Sequence, residues 1–369
     1  MAALFIGLMS GTSMDGIDAV LVDLATEQPT LLATHCEPLP EDLQQALHAL
    51  CQPGEDELNR LAEADVLTGR AFAKAALSLL KKTDITAKDI MAIGSHGQTV
   101  RHAPNGHIPF TVQIGDPNVI ATLTGITTIA DFRRRDIAAG GQGAPFAPAF
   151  HEHLLRDKVT DRIILNIGGI ANVTVLPADQ SQPVRGFDTG PGNTLMDQWY
   201  RQHTDKAFDH SGAWAATGKV DEALLSTLLA DPYFQQAPPK SSGRETFHMD
   251  WLQKKAHTMK KDLAPESIQA TLVEFTAKSI VQAAKQFGPK KAEVFVCGGG
   301  THNTLLMQRL RDLGLDYSIK SIEELGYDPD WIEAMAFAWF AQKTLRNEPV
   351  DLTQITGSNK PIVLGGIYA

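Results

Sequence analysis

Three glycine-bearing turns are the parts of this chain whose composition and spacing best suit chemistry. Ser10-Gly11-Thr12-Ser13-Met14-Asp15-Gly16-Ile17-Asp18 joins two apolar runs, Leu4 to Leu8 and Ile17 to Leu24. Backbone N–H groups in such a turn can converge on phosphate oxygens, and the hydroxyls of Ser10, Thr12 and Ser13 add donors. Carboxylates cannot cradle phosphate, so Asp15 and Asp18 either hold a magnesium ion through water or fix the turn. A plain polar hairpin with local Asx-type bonds is the competing reading. Asn166-Ile167-Gly168-Gly169-Ile170-Ala171-Asn172 repeats the arrangement further along. The third site, Gly298-Gly299-Gly300 with Asn303 after it, lies between a strand and a helix, where backbone can approach a flat ligand closely. It lacks the spacing of a dinucleotide fingerprint. Gly212 to Lys219, the nearest approach to a P-loop, has the wrong glycine spacing and runs into Val220.

The carboxylate that stands out is Asp188, in Gly186-Phe187-Asp188-Thr189-Gly190-Pro191-Gly192-Asn193. It sits at a strand end just before a helix start, where α/β folds present chemistry. There it either accepts a proton from an attacking hydroxyl or water, or caps the helix that follows. Asp131-Phe132-Arg133-Arg134-Arg135-Asp136 is a short basic cluster beside the Gly140-Gly141-Gln142-Gly143 loop. It reads as solvated surface or as a corner that binds carboxylate or phosphate. His96 and Gln98 could bond sugar hydroxyls, or His96 could be bonded locally at a strand end. His210, Trp214 and Lys219 stay ambiguous.

The elements around these residues are those of an α/β protein. The opening reads strand, turn, strand, with a further strand over Leu31 to Cys36. Helices are expected around Glu41 to Leu50 and Glu55 to Lys81, the second with apolar residues close to the helical period. Ile90 to Ile93 is a strand delivering Ser95 to Gln98; Gly115 to Leu123 reads as helix and Ile126 to Ala130 as strand. The pattern then restarts, with strands at Arg162 to Ile167, Ile170 to Leu176 and Val184 to Phe187, and a helix through Tyr200. A long helix opens at Pro265 with Glu266 in its first turn. Glu293 to Cys297 is a buried strand; Asn303 to Leu313 and Asp330 to Leu345 are helices. Asp231 to Arg244, rich in Pro, Gln and Ser, reads as an exposed loop. Two blocks that each begin strand, glycine turn, strand suggest a duplicated domain.

Composition narrows the function classes. At 369 residues, two domains are the natural expectation, and 43% hydrophobic residues suffice for a sizeable core. A formal net charge of -10 disfavours nucleic acid and anionic lipid as partners. Cys36, Cys51 and Cys297 show neither disulfide rhythm nor zinc spacing, which fits a reducing compartment. The apolar run Ala2 to Met9 is too short to span a membrane and lacks a basic start, so a cytoplasmic location is expected.

With these segments in view, the sequence resembles the anhydro-N-acetylmuramic acid kinases along nearly its whole length. The resemblance is carried by Met9 to Asp18, Gly94 to Thr99, Asp131 to Asp136, Gly140 to Pro145, Asn166 to Asn172, Gly186 to Asn193, Val296 to Gly300 and Glu333-Ala334-Met335-Ala336-Phe337-Ala338-Trp339. It implies two ribonuclease-H-like domains of the actin/Hsp70/sugar-kinase type with a nucleotide cleft between them, closing about a hinge. The first domain would cover 1–130, with the tail 360–369, and the second 131–359. The resemblance implies an ATP- and Mg2+-dependent enzyme that takes a small amino sugar, 1,6-anhydro-N-acetylmuramic acid, to N-acetylmuramic acid 6-phosphate in cell-wall recycling. Asp188 would be the general base. Nucleotide contacts would fall on Gly11, Thr12, Ser13, Met14, Asp15, Gly16, Ile17, Asp18, Asn166, Gly168, Gly169, Asn172, Gly298, Gly299, Gly300 and Asn303. Substrate contacts would fall on His96, Gln98, Arg133, Arg134 and Glu333, and a water-bridged metal on Asp15 and Asp18. A homodimer is implied as well. The alternatives are an ordinary hexose or amino-sugar kinase of the same fold, a nucleotide-dependent switch or chaperone-like ATPase, and non-catalytic sugar binding. Against the switch, no separate substrate-binding domain follows the second block.

Overall fold

The computed structural model describes the chain except residues 1, 12, 244–245, 258–261 and 315–316. It opens with β1 (Leu4–Met9), β2 (Gly16–Asp23) and β3 (Thr30–Pro38), then α1 (Glu41–Leu50) and the long α2 (Glu57–Leu80). β4 (Ile90–Ser95), β5 (Gln98–Ala103) and β6 (Phe110–Ile114) follow, then α3 (Pro117–Thr124), β7 (Thr128–Ala130), α4 (Phe132–Ala138) and α5 (Ala147–Leu155). The second block holds β8 (Arg162–Ile167), β9 (Ile170–Leu176), β10 (Arg185–Pro191), α6 (Thr194–His203), α7 (Glu222–Leu229), α8 (Met249–His257), α9 (Pro265–Phe287), β11 (Glu293–Cys297), α10 (Thr304–Leu313) and β12 (Ser318–Ser321). α11 (Ile332–Leu345) and β13 (Gly366–Tyr368) close the chain.

The chain forms two compact units, residues 1–150 with 331–369, and residues 151–330. Their sheets share one plan. The first runs β13-β7-β4-β1-β2-β3 and the second β10-β9-β8-β11-β12. In each, the first three strands form an antiparallel meander and the fourth pairs parallel with the first. That is the duplicated ribonuclease-H-like α/β arrangement.

All of β1 is buried, because both faces of its sheet are covered. Side chains alternate across a strand. Leu4, Ile6 and Leu8 therefore share a core with Phe72, Ala76 and Leu79 of α2, while Gly7 faces α11. A Cβ at Gly7 or at Gly94 would overlap the carbonyls of Ala334 and Phe337, so only glycine lets this helix lie so close. Every residue from Ala334 to Gln342 is buried. This explains where the first unit differs from the sequence expectation: the helix placed with 131–359 is a core element of the first sheet, and residue 130 falls inside that unit. β13 completes this sheet by pairing with β7, Gly366 opposite Ala130.

The 231–244 stretch also differs from the exposed loop expected of its composition. Tyr233 is buried, and so are Lys240, Ser241 and Ser242. Their partners come from β10, which sequence proximity does not reveal. Arg244 lies outside the described residues.

Candidate active site

In the first unit the Ser10–Asp18 turn is held from below by polar side chains. The Ser10 hydroxyl lies 2.7 Å from Gln98 Oε1 and 2.8 Å from the Gly16 carbonyl. Gln98 Nε2 donates to the Gly11 and Thr99 carbonyls, each at 3.2 Å. Met14 and Ile17 bury their side chains in the core, which leaves only their backbone groups for a ligand. Above Gly11 there is open space, since a Cβ there would meet nothing within 4 Å. The Ser13 hydroxyl donates to Asp15 at 2.6 Å. Partial burial, followed by the Asp18 carboxylate to which the thiol is hydrogen-bonded, pushes Cys36 up to about 11. Asp15 thus braces the turn from within, while Asp18 bonds the Cys36 thiol of β3. Among the described residues no cluster of three or more His, Cys, Asp or Glu side chains forms a cation cage. Two carboxylates fit at most a magnesium ion that keeps several waters and is otherwise held by phosphates. Thr12 lies outside the described residues.

His96, Gln98, Arg133 and Glu333 all belong to the same unit. Arg133 Nε donates to His96 Nε2 at 2.7 Å, and Arg133 Nη1 donates to the Gly143 carbonyl at 2.7 Å. His96 Nδ1 lies 3.2 Å from the Ser10 carbonyl. Burial, then the Arg133 charge, holds His96 well below the usual imidazole range, so the ring is neutral. The donors of His96 and Gln98 are therefore spent inside the protein rather than offered to a sugar. Phe337 of α11 packs against His96 with ring centroids 4.9 Å apart and the planes tilted by 47°, bringing the helix that carries Glu333 against the same group. The Asp131–Asp136 cluster lies on α4, with Asp131 just before its first residue. Its buried Asp136 accepts from Gly143 N at 2.7 Å and from Thr356 Oγ1 at 2.8 Å, which builds the corner that receives Arg133. Arg134 points to solvent and pairs with Asp131 at 3.2 Å.

In the second unit three segments converge. The carbonyls of Gly168 and Gly169 accept from Gly192, Asn193 and Thr194, at 2.8 to 3.1 Å. The second glycine turn thereby caps the start of α6. Gly298 and Gly300 press against Asn166 and Ile167 so closely that a side chain at either would collide. Asn303 caps α10 by accepting from Leu306 N at 3.1 Å. Beside this turn opens a recess of about 240 Å³, with Thr301, Met307, Arg311 and Pro329 in its wall. Asn172 Oδ1 is buried with no partner among the described residues.

Asp188 sits where β10 slips register against β9, between Asp188 and Gly190. Such a bulge re-aims a side chain. The residue is only 4% exposed. Its Oδ2 accepts from Ser242 N at 2.9 Å, its N–H donates to the Lys240 carbonyl at 3.1 Å, and its carbonyl accepts from the Tyr233 hydroxyl at 2.7 Å. The N–H that opens α6, that of Thr194, goes to the Gly169 carbonyl, and Asp188 Oδ2 is bonded by Ser242 N. The sequence reading missed Lys240 and Ser242, whose carbonyl and N–H respectively bond Asp188, and the buried Ser241 between them. The hydroxyls of both serines are buried without partners among the described residues. Tyr233 and Phe234, two aromatics inside an otherwise polar stretch, were the available signal.

A family model described as anhydro-N-acetylmuramic acid kinase matches residues 3–369. A protein of that name from Coxiella burnetii is 52% identical over 364 residues, 99% of this chain and 97% of its own. One from Shewanella oneidensis is 53% identical over 367 residues, 100% of this chain and 99% of its own. Among solved structures, a ROK family glucokinase from Streptomyces griseus in complex with glucose and AMPPNP is 12% identical with a TM-score of 0.41, covering 92% of this chain and 100% of that one. The chain belongs to the anhydro-N-acetylmuramic acid kinase family.

Proposed function

We propose that this enzyme, a phosphotransferase by family, converts 1,6-anhydro-N-acetylmuramic acid, ATP and water to N-acetylmuramic acid 6-phosphate and ADP in cell-wall recycling. Asp188 takes a proton from water as the water oxygen bonds to the anomeric carbon. The C1–O6 bond breaks, and its electron pair goes to O6. O6 then bonds to the γ-phosphorus, whose bond to the ADP oxygen breaks, and the proton on Asp188 leaves to solvent. One carboxylate suffices because hydrolysis itself creates the phosphate acceptor. What supports this reading is the buried Asp188 carboxylate at the β10 bulge, with Oδ2 held by Ser242 N.

Backbone groups of the Gly11–Asp18 turn and of Asn166–Asn172, with the Gly298–Asn303 turn, are assigned to the nucleotide. The recess beside Gly298 suits the flat face of a base. A magnesium ion, when bound, would offset charge on the transferring phosphoryl group, with Asp15 and Asp18 reaching it through water. Arg133 is assigned to the lactyl carboxylate and Glu333 to a sugar hydroxyl or amide. His96 and Gln98 brace the first turn and Arg133. Among the described residues no helix is long and apolar enough to cross a membrane. A cytoplasmic homodimer completes the reading.

The test is ADP formation with the 1,6-anhydro sugar against the open-ring amino sugar. The proposal expects turnover of the first and not of the second. Equal rates with both would make this an ordinary amino-sugar kinase, with Asp188 deprotonating a sugar hydroxyl directly.

A further inference from the structure

Asn172 of β9 stands in a polar row that crosses three strands, paired with Asn166 of β8 on one side and with Asp188 of β10 on the other. Residues directly opposite one another share a face of the sheet. Asp188 sends both its N–H and its C=O away from β9, to the Lys240 carbonyl and the Tyr233 hydroxyl. Asp188 and Asn172 are therefore the non-hydrogen-bonded kind of antiparallel pair, in which side chains stand closest, with Cβ atoms about 4.5–5.5 Å apart. Asn172 is only 8% exposed, and its Oδ1 has no donor among the described residues. Thr174, next on the same face of β9, is already bonded to His151 at 2.8 Å. A buried acceptor without a donor is costly, and a leucine would fill the place without that cost. The amide therefore needs a reason, and its strand partner is the carboxylate on which the reaction depends.

Resting on the reading of Asp188 as general base, we propose that Asn172 is a second catalytic residue: its Oδ1 accepts one hydrogen of the attacking water while Asp188 takes the other as a proton. Unless the second hydrogen is held, the water turns and its lone pair leaves the line to the anomeric carbon. Two acceptors on one water stand about 4.5 Å apart, given O–H···O distances of about 2.8 Å, which suits a close cross-strand pair. An amide is neutral, so it orients the water without competing for the proton. After the water oxygen bonds to C1 and the C1–O6 bond breaks, the second hydrogen stays on the new C1 hydroxyl, still on Asn172.

Methanol separates this role from others, because it has one hydroxyl hydrogen and needs no second acceptor. Asp188 takes that hydrogen, the methanol oxygen bonds to C1, and the freed O6 takes the γ-phosphoryl group, which gives the methyl glycoside 6-phosphate. In the native enzyme the methyl group falls where Asn172 Oδ1 holds the second hydrogen of water, so methanol is disfavoured. The test compares the native enzyme with Asn172→Ala and Asn172→Leu on the 1,6-anhydro sugar in water with added methanol. It reads kcat, ATP KM, thermal midpoint and the ratio of methyl glycoside to free sugar phosphate. Both variants should lose about tenfold or more in kcat with ATP KM unchanged, and Asn172→Ala should raise the product ratio about tenfold or more. The midpoint of Asn172→Leu should hold or rise, because an acceptor without a donor leaves a buried place. Native kcat or an unmoved product ratio in Asn172→Ala would overturn the proposal. So would a raised ATP KM with kcat kept, which would give the amide to the nucleotide, or a sharp fall of the midpoint in both variants, which would give it to the fold. If the native enzyme puts no solvent oxygen at C1, the general-base reading fails and this assignment with it. If it does, and only the Asn172 variants behave otherwise than expected, the assignment alone falls.

Discussion

His96 carries one proton, and its neighbours decide where. Arg133 can only donate, so Nε2 accepts and Nδ1–H must point at the Ser10 carbonyl. One neutral imidazole thus links the glycine turn to the arginine assigned to the sugar carboxylate. Gln98 does the same for the turn alone, and it gives the cleaner test. Gln98→Leu leaves the Gly11 carbonyl without this donor and takes from Ser10 its closest acceptor. The cost should be about 1–3 kcal/mol of stability. Denaturant melts check that figure, and kinetics should show a several-fold rise in ATP KM with kcat little changed. At this scale the sequence was informative where the chemistry was local: glycines and hydroxyls in a turn announce themselves. It was silent on Lys240, which is buried against the Tyr233 ring that only the fold brings to it.

At the scale of elements, α11 is the part whose position matters most to the first unit. Gly7 and Gly94 admit it to the sheet, and Phe337 then meets His96 and Phe132. Gly94→Ala should push the helix outward, at a cost of about 1–3 kcal/mol from overpacking. If Glu333 touches the sugar, that shift should also raise the sugar KM more than the ATP KM. Thermal unfolding and steady-state kinetics on one preparation read both effects. Most strands and most helices were legible from periodicity, including the restart that marks the second sheet. The assignment of α11 was not, because a helix buried on all sides has no polar face to show which sheet it covers. The β5–β6 hairpin was also missed, since its strands are half-exposed and mixed in composition.

For the molecule as a whole, pH dependence of stability follows from buried imidazoles. Burial, then the Arg133 charge, holds His96 well below 6.5 and brings His102 to about 4; burial alone brings His151 to about 3. Each is neutral when folded and takes a proton when unfolded, so the unfolded state binds more protons below the ordinary value. The stability they contribute is whole above about pH 6.5 and drains away as pH falls through the folded values, at about 1.4 kcal/mol per pH unit per group. The thermal midpoint should accordingly drop steadily between pH 6.5 and pH 4, well before most carboxylates titrate. A midpoint that is flat over that range would mean that the three rings are not buried neutral.

The duplicated plan puts a glycine turn between the first two strands of each unit's sheet, and the second unit buries Asp188 with its Oδ2 on Ser242 N. The account rests on that carboxylate activating water. The most direct measurement is turnover of 1,6-anhydro-N-acetylmuramic acid with ATP and magnesium in water enriched in heavy oxygen, for the native enzyme and Asp188→Asn. The account predicts label at C1 and none in the O6–phosphorus bridge. It also predicts that kcat falls by about 10²–10⁴ in the variant while ATP binding persists. Unlabelled C1, or a variant that keeps most of its rate, would contradict it.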